Sequence, residues 1–179
     1  MILPPETNFI NRNAYCGWCG TKFAEQKLYP RKCFRCGQDT YINPLPVTVA
    51  LIPVVWYDEE NRQKVSLLVQ ERNIEPKKGE WALPGGYLDV GEQWQEGCAR
   101  EVREEIGLDT NPQWYKLKSV ELATNSNLLI FGLYEGLVRW DEIHFSPNEE
   151  CTAIKLVDTA EELAFPTHTR ALRNWIYNE

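Results

Sequence analysis

Long apolar runs are missing from this chain of 179 residues, and histidine is scarce. No run approaches the roughly 20 apolar residues that a membrane-spanning helix needs, so we expect no membrane partner. The amino terminus has no basic region followed by an apolar core, which predicts no signal peptide and a cytoplasmic location. The two histidines, His144 and His168, stand apart in the sequence. Isolation favours a surface or hydrogen-bonded role for each over a catalytic one.

Charge is unevenly distributed along the chain. The net charge is −7. Residues 1–45 hold six basic and three acidic side chains, or +3, and the remainder holds 13 basic and 23 acidic ones, or −10. An acidic body binds nucleic acid poorly in general, so we do not expect nucleic acid as a partner. Such a body can still bind phosphates through metal ions, and the basic start leaves room for a nucleic-acid contact.

Four of the six cysteines form two Cys-x-x-Cys-Gly knuckles. Two residues between thiolates let both point at one ion, and the glycine tolerates the positive φ that a tight turn requires. The spacing predicts a tetrahedral Zn²⁺ site, with disulfides as the alternative that the lack of secretory features disfavours. Cys98 and Cys151 fit small buried residues. The predicted zinc ligands are Cys16, Cys19, Cys33 and Cys36.

The sequence predicts two units of different size. Residues 1–45 comprise an N-terminal arm and a zinc ribbon, and residues 46–179 form the larger unit. The arm, residues 1–13, is polar and irregular. The ribbon, residues 14–40, can bury little core, so the metal supplies much of its folding free energy.

The larger unit alternates strands with helices, which predicts an α+β or α/β sandwich. We expect the first two strands to pair as a hairpin. A helix follows Gly91 and ends at Gly107. The predicted strands are residues 47–56, 65–70, 81–83, 114–123, 127–138 and 152–157, and the other predicted helices are a short one at 158–162 and a final one at 167–177.

The helix after Gly91 carries clustered acids. At about 100° per residue, Glu105 lies about 40° to one side of Glu101 and Glu104 about 60° to the other. Like charges so placed repel each other, and hard divalent cations with oxygen ligands neutralise them best. A solvated acidic face is the alternative. A separate apolar arc, which can face a core, contains Ala99, Val102 and Ile106.

The residues around this helix resemble the Nudix box of the Nudix hydrolases. The fixed positions of that box are matched by Gly86, Glu92, Arg100-Glu101, Glu104-Glu105 and Gly107, and its aliphatic positions by Val102 and Leu108. The resemblance covers about residues 46–178 and implies an α/β/α sandwich with a mixed sheet. With its zinc ribbon in front, the chain is similar to a subset that includes NADH pyrophosphatases and some ADP-ribose and FAD pyrophosphatases.

The resemblance implies hydrolysis of a phosphoanhydride with Mg²⁺ or Mn²⁺. A bound cation would neutralise phosphate charge and lower the pKa of a water. Glu101 is a metal ligand or, alternatively, the base that deprotonates the water. Arg100 would hold the carboxylates by charged hydrogen bonds, and Gly85-Gly86 would form a tight turn that brings backbone close to metal. The implied ligands are Glu101, Glu104, Glu105 and the Gly85 carbonyl, with Gly86 and Glu92 in structural or supporting roles.

A further acid outside the helix often completes Nudix sites. Glu149 and Glu150 precede a late strand and are the candidates, with exposed loop acids as the alternative. The strand itself, residues 151–157, contains no acid. The number of ligands and the identity of the base therefore stay open.

The sequence indicates the substrate less clearly than it indicates the reaction. The Ser-Gln-Pro-Trp phrase of NADH pyrophosphatases is missing, and Pro112-Gln113-Trp114-Tyr115 stands in that region, which lowers NADH as a substrate. We expect a nucleotide-type small molecule, of the ADP-ribose, FAD or NADH type, to be cut into two monophosphates. The alternatives are a nucleotide-sensing regulator without turnover and an RNA 5′-end processing protein. A homodimer is compatible with the sequence.

Overall fold

The computed structural model describes residues 14–24 and 29–177. The chain divides into two compact units, Met1–Pro44 and Leu45–Glu179. The predicted arm, residues 1–13, lies outside the described residues. Every helix in the described part of the chain is too short or too polar to cross a membrane.

The first unit contains two knuckles built in the same way. The Gly20 N–H donates to the Cys16 carbonyl and the Gly37 N–H to the Cys33 carbonyl, each at 2.9 Å. Both glycines adopt positive φ, +69° and +72°, a conformation that residues with a Cβ rarely adopt. A short antiparallel hairpin of β1, Arg31–Lys32, and β2, Asp39–Thr40, frames the second knuckle.

The second unit is a mixed α+β fold, as the sequence predicts. Its elements are β3 Pro46–Leu51, β4 Pro53–Tyr57, β5 Gln63–Arg72, β6 Trp81–Ala82, β7 Gly85–Tyr87, α1 Trp94–Ile106, β8 Tyr115–Leu122, β9 Leu128–Tyr134, β10 Cys151–Val157 and α2 Pro166–Tyr177. The strand order is β7-β3-β9-β8 in one sheet, where β3 and β9 are parallel and the other pairs antiparallel. The other sheet is antiparallel, in the order β10-β5-β4, and β6 also pairs with β5.

The core has two halves, one on each face of the strands. Successive side chains of a strand point to opposite faces. Along β5, Leu68 therefore joins a cluster with α1, whereas Leu67 and Val69 join a cluster with α2. The predicted apolar arc of α1 lies in the first cluster: Ala99, Val102 and Ile106 are all buried. The two helices thus cover opposite faces, which confirms the sandwich.

Helix α1 starts later than the sequence predicts and ends where predicted. Gln93 is its N-cap, and the Glu96 carboxylate accepts a hydrogen bond from the Gln93 N–H at 2.8 Å. Glu92 therefore precedes the helix instead of starting it. At the other end Gly107 has φ +77°, and its N–H donates to the Arg103 carbonyl.

Two predicted elements are wrong. The run 47–56 is two strands in different sheets, because the chain changes sheet at the buried Ile52, whose carbonyl accepts a hydrogen bond from the Leu68 N–H at 3.0 Å. Only β4 pairs with β5 as the predicted hairpin. The predicted helix 158–162 is irregular chain. The chain that follows it is hydrogen-bonded to helix α2, since the Leu163 N–H donates to the Thr169 hydroxyl at 2.9 Å.

Candidate functional site

Strand β7 brings backbone against the acidic helix. It runs antiparallel to β3, with Gly85 opposite Val49 and Gly86 opposite Thr48. A Cβ on Gly85 would lie 2.2 Å from the Thr48 carbonyl oxygen, and one on Gly86 would lie 2.5 Å from the Glu101 carboxylate. The Gly-Gly pair is thus part of a strand, which corrects the predicted tight turn. Close approach of the neighbours is what requires glycine here.

Arg100 is the centre of an ion-pair network. Its guanidinium donates two hydrogen bonds to the Glu92 carboxylate, of 2.9 Å from Nε and 3.0 Å from Nη2. Nη1 donates to Glu101 at 2.7 Å and to Glu104 at 3.0 Å. Nη2 also donates to the Tyr87 carbonyl at 2.9 Å, which ties the helix to the end of β7. The pKa of Glu92 is lowered mainly by its hydrogen bonds with Arg100.

The three helix acids differ in burial. Glu105 is 3% exposed and Glu101 is 7% exposed, whereas the Glu104 side chain is 54% exposed. The Gly85 N–H donates to Glu105 Oε2 at 2.8 Å. Burial raises the pKa of Glu105 to about 8 and raises that of Glu101 as well. Buried carboxylates favour a cationic partner, because an isolated buried charge is costly.

The side chains of the three acids divide between two hydrogen-bond donors. Arg100 holds Glu101 and Glu104, and the Gly85 N–H holds Glu105 on another side. Among the residues that the structure describes, the four cysteines are the group in which three or more possible metal-ligand atoms lie close together, and the helix acids do not form a second one. The helical period thus places the acids on one face, but Glu101 and Glu104 share Arg100 whereas Glu105 accepts the Gly85 N–H, so the three carboxylates do not form one compact group.

Among the residues that the structure describes, two buried polar side-chain atoms lack a hydrogen-bond partner. They are Gln70 Oε1, on β5, and Thr48 Oγ1, on β3. The Gln70 side chain is also a hydrogen-bond partner of Glu105 and lowers its pKa against the effect of burial. The unpartnered amide oxygen of Gln70 and the buried carboxylate of Glu105 together offer oxygen ligands, which are the ligands that Mg²⁺ prefers. The residues present therefore fit such an ion.

Sequence reasoning missed Gln70 and Thr48. Both stand in apolar strands, and their nearness to α1 depends on tertiary packing. A polar residue inside an otherwise apolar strand is the one signal that points to them.

The loop before β10 separates the two further acids. Burial is the main cause of the raised pKa of both Glu101 and Glu105, and the negative charge of Glu150 adds to it. Asn148 precedes both acids in the sequence, and its side-chain oxygen accepts a hydrogen bond from the Glu150 N–H at 2.9 Å. Glu150 is therefore the better candidate for the additional acid.

The four predicted zinc ligands come together in the first unit. Their Sγ atoms all lie within 4.8 Å of one another. Cys16 and Cys36 are 3.7 Å apart, as are Cys19 and Cys33. Tetrahedral zinc with Zn–S bonds of about 2.3 Å places sulphurs about 3.8 Å apart. All six cysteines are free in the structure, and the four sulphurs are spaced as a single ion between them requires.

Of the remaining cysteines and histidines, three are buried and one is exposed. Cys98 and Cys151 are fully buried, and burial raises the pKa of their thiols to about 12 and about 11. His168 is buried, and its Nδ1 accepts a hydrogen bond from the Leu83 N–H at 3.2 Å. Burial lowers the pKa of His168 to about 3, so it is neutral. His144 is exposed.

Comparison with known proteins connects this geometry to a family. A family model described as NUDIX domain matches residues 48–177. The NAD-capped RNA hydrolase NudC of Stutzerimonas stutzeri (strain A1501) is 29% identical over 111 residues, which are 60% of this chain and 36% of that protein. An ADP-ribose pyrophosphatase of Methanocaldococcus jannaschii is 40% identical over 58 residues, 32% of this chain and 34% of that protein. The matches thus span about a third of the length of these relatives.

Solved structures share the fold. A NUDIX hydrolase from Nitrosomonas europaea superposes with a TM-score of 0.66 at 20% identity, covering 92% of this chain and 91% of that one. The NUDIX domain of Shewanella oneidensis NrtR, solved with ADP ribose, gives 0.59 at 16% identity over 77% and 90%. The family model covers well over half of the chain, and the relatives are named as hydrolases or pyrophosphatases. This protein belongs to the Nudix hydrolase family, as its box predicts.

Proposed function

We propose that this protein hydrolyses the diphosphate bond of a nucleoside diphosphate linked to a second moiety, with Mg²⁺ or Mn²⁺. The products would be two monophosphates. The observation that carries the proposal is the pair of buried acids, Glu101 and Glu105, on a helix whose Arg100 fixes the acids around it. Two relatives are named as an NAD-capped RNA hydrolase and an ADP-ribose pyrophosphatase, and these names support this substrate class.

The residues divide the work of the reaction. A divalent cation held by oxygens of Glu101, Glu104, Glu105 and the Gly85 carbonyl would neutralise phosphate charge and lower the pKa of a water. Water attacks one phosphorus, a new P–O bond forms, and the bridging P–O bond breaks with its electron pair leaving on the second phosphate. Alternatively, Glu101 is not a ligand but the base that takes the proton of that water, since its carboxylate is buried and burial raises its pKa.

The first substrates to expect are ADP-ribose and FAD. The missing Ser-Gln-Pro-Trp phrase places NADH behind them. Exposed aromatic rings such as Trp114, 51% exposed, can stack on a planar base, although stacking tolerates many bases. A second candidate is RNA 5′-end processing, favoured by the similarity to an NAD-capped RNA hydrolase and by the +3 charge of residues 1–45. A sensor without turnover fits less well, because it need not keep all three helix acids.

The two units would have separate roles. In this proposal residues 46–179 form the hydrolase domain, and residues 1–45 form a ribbon with one structural Zn²⁺ on Cys16, Cys19, Cys33 and Cys36. The sulphur geometry of the first unit supports the ribbon role. The match of the family model to residues 48–177 supports the domain role.

A substrate panel tests the function. Purified protein with Mg²⁺ or Mn²⁺ is given ADP-ribose, FAD, NAD⁺, NADH, an NAD-capped oligoribonucleotide and ATP in ¹⁸O-labelled water. We expect AMP and a second monophosphate, with label on one of the two. Glu105→Gln serves as the inactive control. Release of pyrophosphate from ATP alone would contradict the proposed substrate class, and calorimetric binding without any turnover would favour the sensor.

A further inference from the structure

The side chain of Asn148 joins the loop before β10 to the last turn of the box helix α1. Its Nδ2 donates to the Glu105 carbonyl at 3.0 Å and to the Glu104 carbonyl at 3.3 Å. The last four carbonyls of a helix have no partner within the helix. Asn148 therefore supplies a hydrogen-bond donor to the carbonyls of Glu104 and Glu105, whose side chains are carboxylates of the box.

The other end of the same amide fixes the acid loop. Asn148 Oδ1 accepts hydrogen bonds from the Glu150 N–H at 2.9 Å and the Cys151 N–H at 2.8 Å. On the opposite side, the Asn73 N–H donates to the Glu150 carbonyl at 2.8 Å. Asn73 Nδ2 also donates to the Asn148 carbonyl at 3.1 Å. Both backbone polar groups of Glu150 are therefore held, although its side chain is exposed.

The chemistry of the position requires an amide. Aspartate offers acceptors for the two loop N–H groups, but it has no donor for the helix carbonyls and would set a negative charge against them. Alanine offers neither. One amide with two donor and two acceptor contacts thus links the box helix to a loop that lies more than 40 residues further along the chain.

We propose that Asn148 is a positioning residue that holds Glu150 beside the carboxylates of the box helix, so that Glu150 joins them around a divalent cation. The inference rests on the proposed function for the identity of the cation site. The amide of Asn148 bridges the Glu104 and Glu105 carbonyls to the Glu150 N–H, which places the backbone of Glu150 one side chain away from the end of the box helix. Mutation of a residue that orients a metal ligand typically lowers metal affinity by about 10- to 100-fold.

The test compares four variants of the full-length protein by Mn²⁺ binding, read as loss of the free-ion signal in electron paramagnetic resonance. Glu150→Gln and Asn148→Ala should each weaken Mn²⁺ binding by about tenfold. The double variant should bind no more weakly than Glu150→Gln alone, because both changes remove the same contribution. Asn125→Ala is the matched control, since its Oδ1 also accepts a backbone N–H, from Asn127 at 3.1 Å, in the β8–β9 turn.

Melting temperatures separate positioning from simple helix capping. A lower Tm for Asn148→Ala with wild-type Mn²⁺ binding would overturn the inference, and so would losses that add in the double variant. Wild-type binding by Glu150→Gln would remove Glu150 from the site. If the alanine variant does not fold, Asn148→Asp takes its place, because it keeps the loop contacts and loses the helix contacts. Wild-type protein that binds Mn²⁺ but cleaves no substrate of the panel would refute the proposed function and leave this binding test valid.

Discussion

At the scale of single residues, Gly86 leaves room for the carboxylate of Glu101. A Cβ there would lie 2.5 Å from both carboxylate oxygens. We expect Gly86→Ala to displace Glu101 and to lower kcat about a hundredfold, because displacing a catalytic group by about 1 Å has that effect. Gly17→Ala is the control, since a Cβ at Gly17 meets nothing within 4 Å. Steady-state kinetics on the best substrate measures the change, and kcat near that of the control would show that Glu101 is not needed where it lies.

The helix acids allow a second prediction at this scale. We expect Glu104→Gln and Glu105→Gln each to lower kcat by about a hundredfold or more while the fold survives, because each removes a negative charge from the proposed cation site. Glu96→Gln on the same helix is the control, since Gln keeps the oxygen that accepts the Gln93 N–H. Circular dichroism measured beside the kinetics checks folding. Near-normal turnover in either box variant would remove its proposed ligand role.

Residue spacing is informative where the chemistry is local. The box acids and Arg100 stand within one helix, so their spacing alone predicts that they share a face. The partners that position them come from distant strands and loops: Gln70 precedes the helix, and Asn148 follows it. Such contacts depend on the packing of the whole domain, which no local period encodes. The sequence therefore predicts the acids but not the directions in which their side chains turn.

At the scale of elements, helices were easier to predict than strand partners. Helix α1 has an apolar arc and a terminal glycine, and both are found as predicted. The run 47–56 is apolar throughout, and a continuous apolar run does not show where a chain leaves one sheet for another. The change of sheet at Ile52 is what lets β3 pair with β7. That pairing brings Gly86 to the helix, so the missed boundary is part of the site.

Helix α2 supports the chain just before β7 through a buried histidine. The Leu83 N–H donates to His168 Nδ1, and the imidazole packs against Phe131 and Phe165. The pKa of His168 is lowered to about 3 by burial, from an ordinary value of 6.5. Below pH 6.5 the unfolded chain therefore binds a proton that the folded one does not, so stability falls as the pH falls toward 3.

We expect this histidine to make the protein acid-sensitive. The free energy of unfolding should drop by up to about 1.4 kcal/mol per pH unit between pH 6 and pH 4 from His168 alone. His168→Asn cannot titrate there and can keep an acceptor for the Leu83 N–H, so its stability should depend less on pH. His144→Gln, at the exposed histidine, should follow the wild type. Urea unfolding at several pH values measures this, and equal slopes for wild type and His168→Asn would show that His168 is charged in the fold.

At the scale of the whole molecule, the two units differ in how they gain stability. The second unit buries two apolar clusters, whereas in the described part of the first unit the buried residues are Cys16 and Cys33. We therefore expect a unit with so little core to depend on a bound metal for its folding. The charge is also divided, with +3 in residues 1–45 and −10 in the remainder. Any contact with a polyanionic partner is therefore better suited to the first unit than to the second.

Zinc content tests this division of roles. We expect one tightly bound Zn²⁺ per chain, retained without added metal, and its loss in Cys33→Ser, since each sulphur is one of four ligands. The box residues all belong to the second unit, so hydrolysis of a free dinucleotide should persist in that variant. Cleavage of an NAD-capped oligoribonucleotide should fall if the ribbon contacts RNA. Cys98→Ser, at a buried cysteine outside the cluster, controls for loss of a thiol. Elemental analysis with thiol counting decides the matter: zinc-free fresh protein with a disulfide between the knuckles would refute the site.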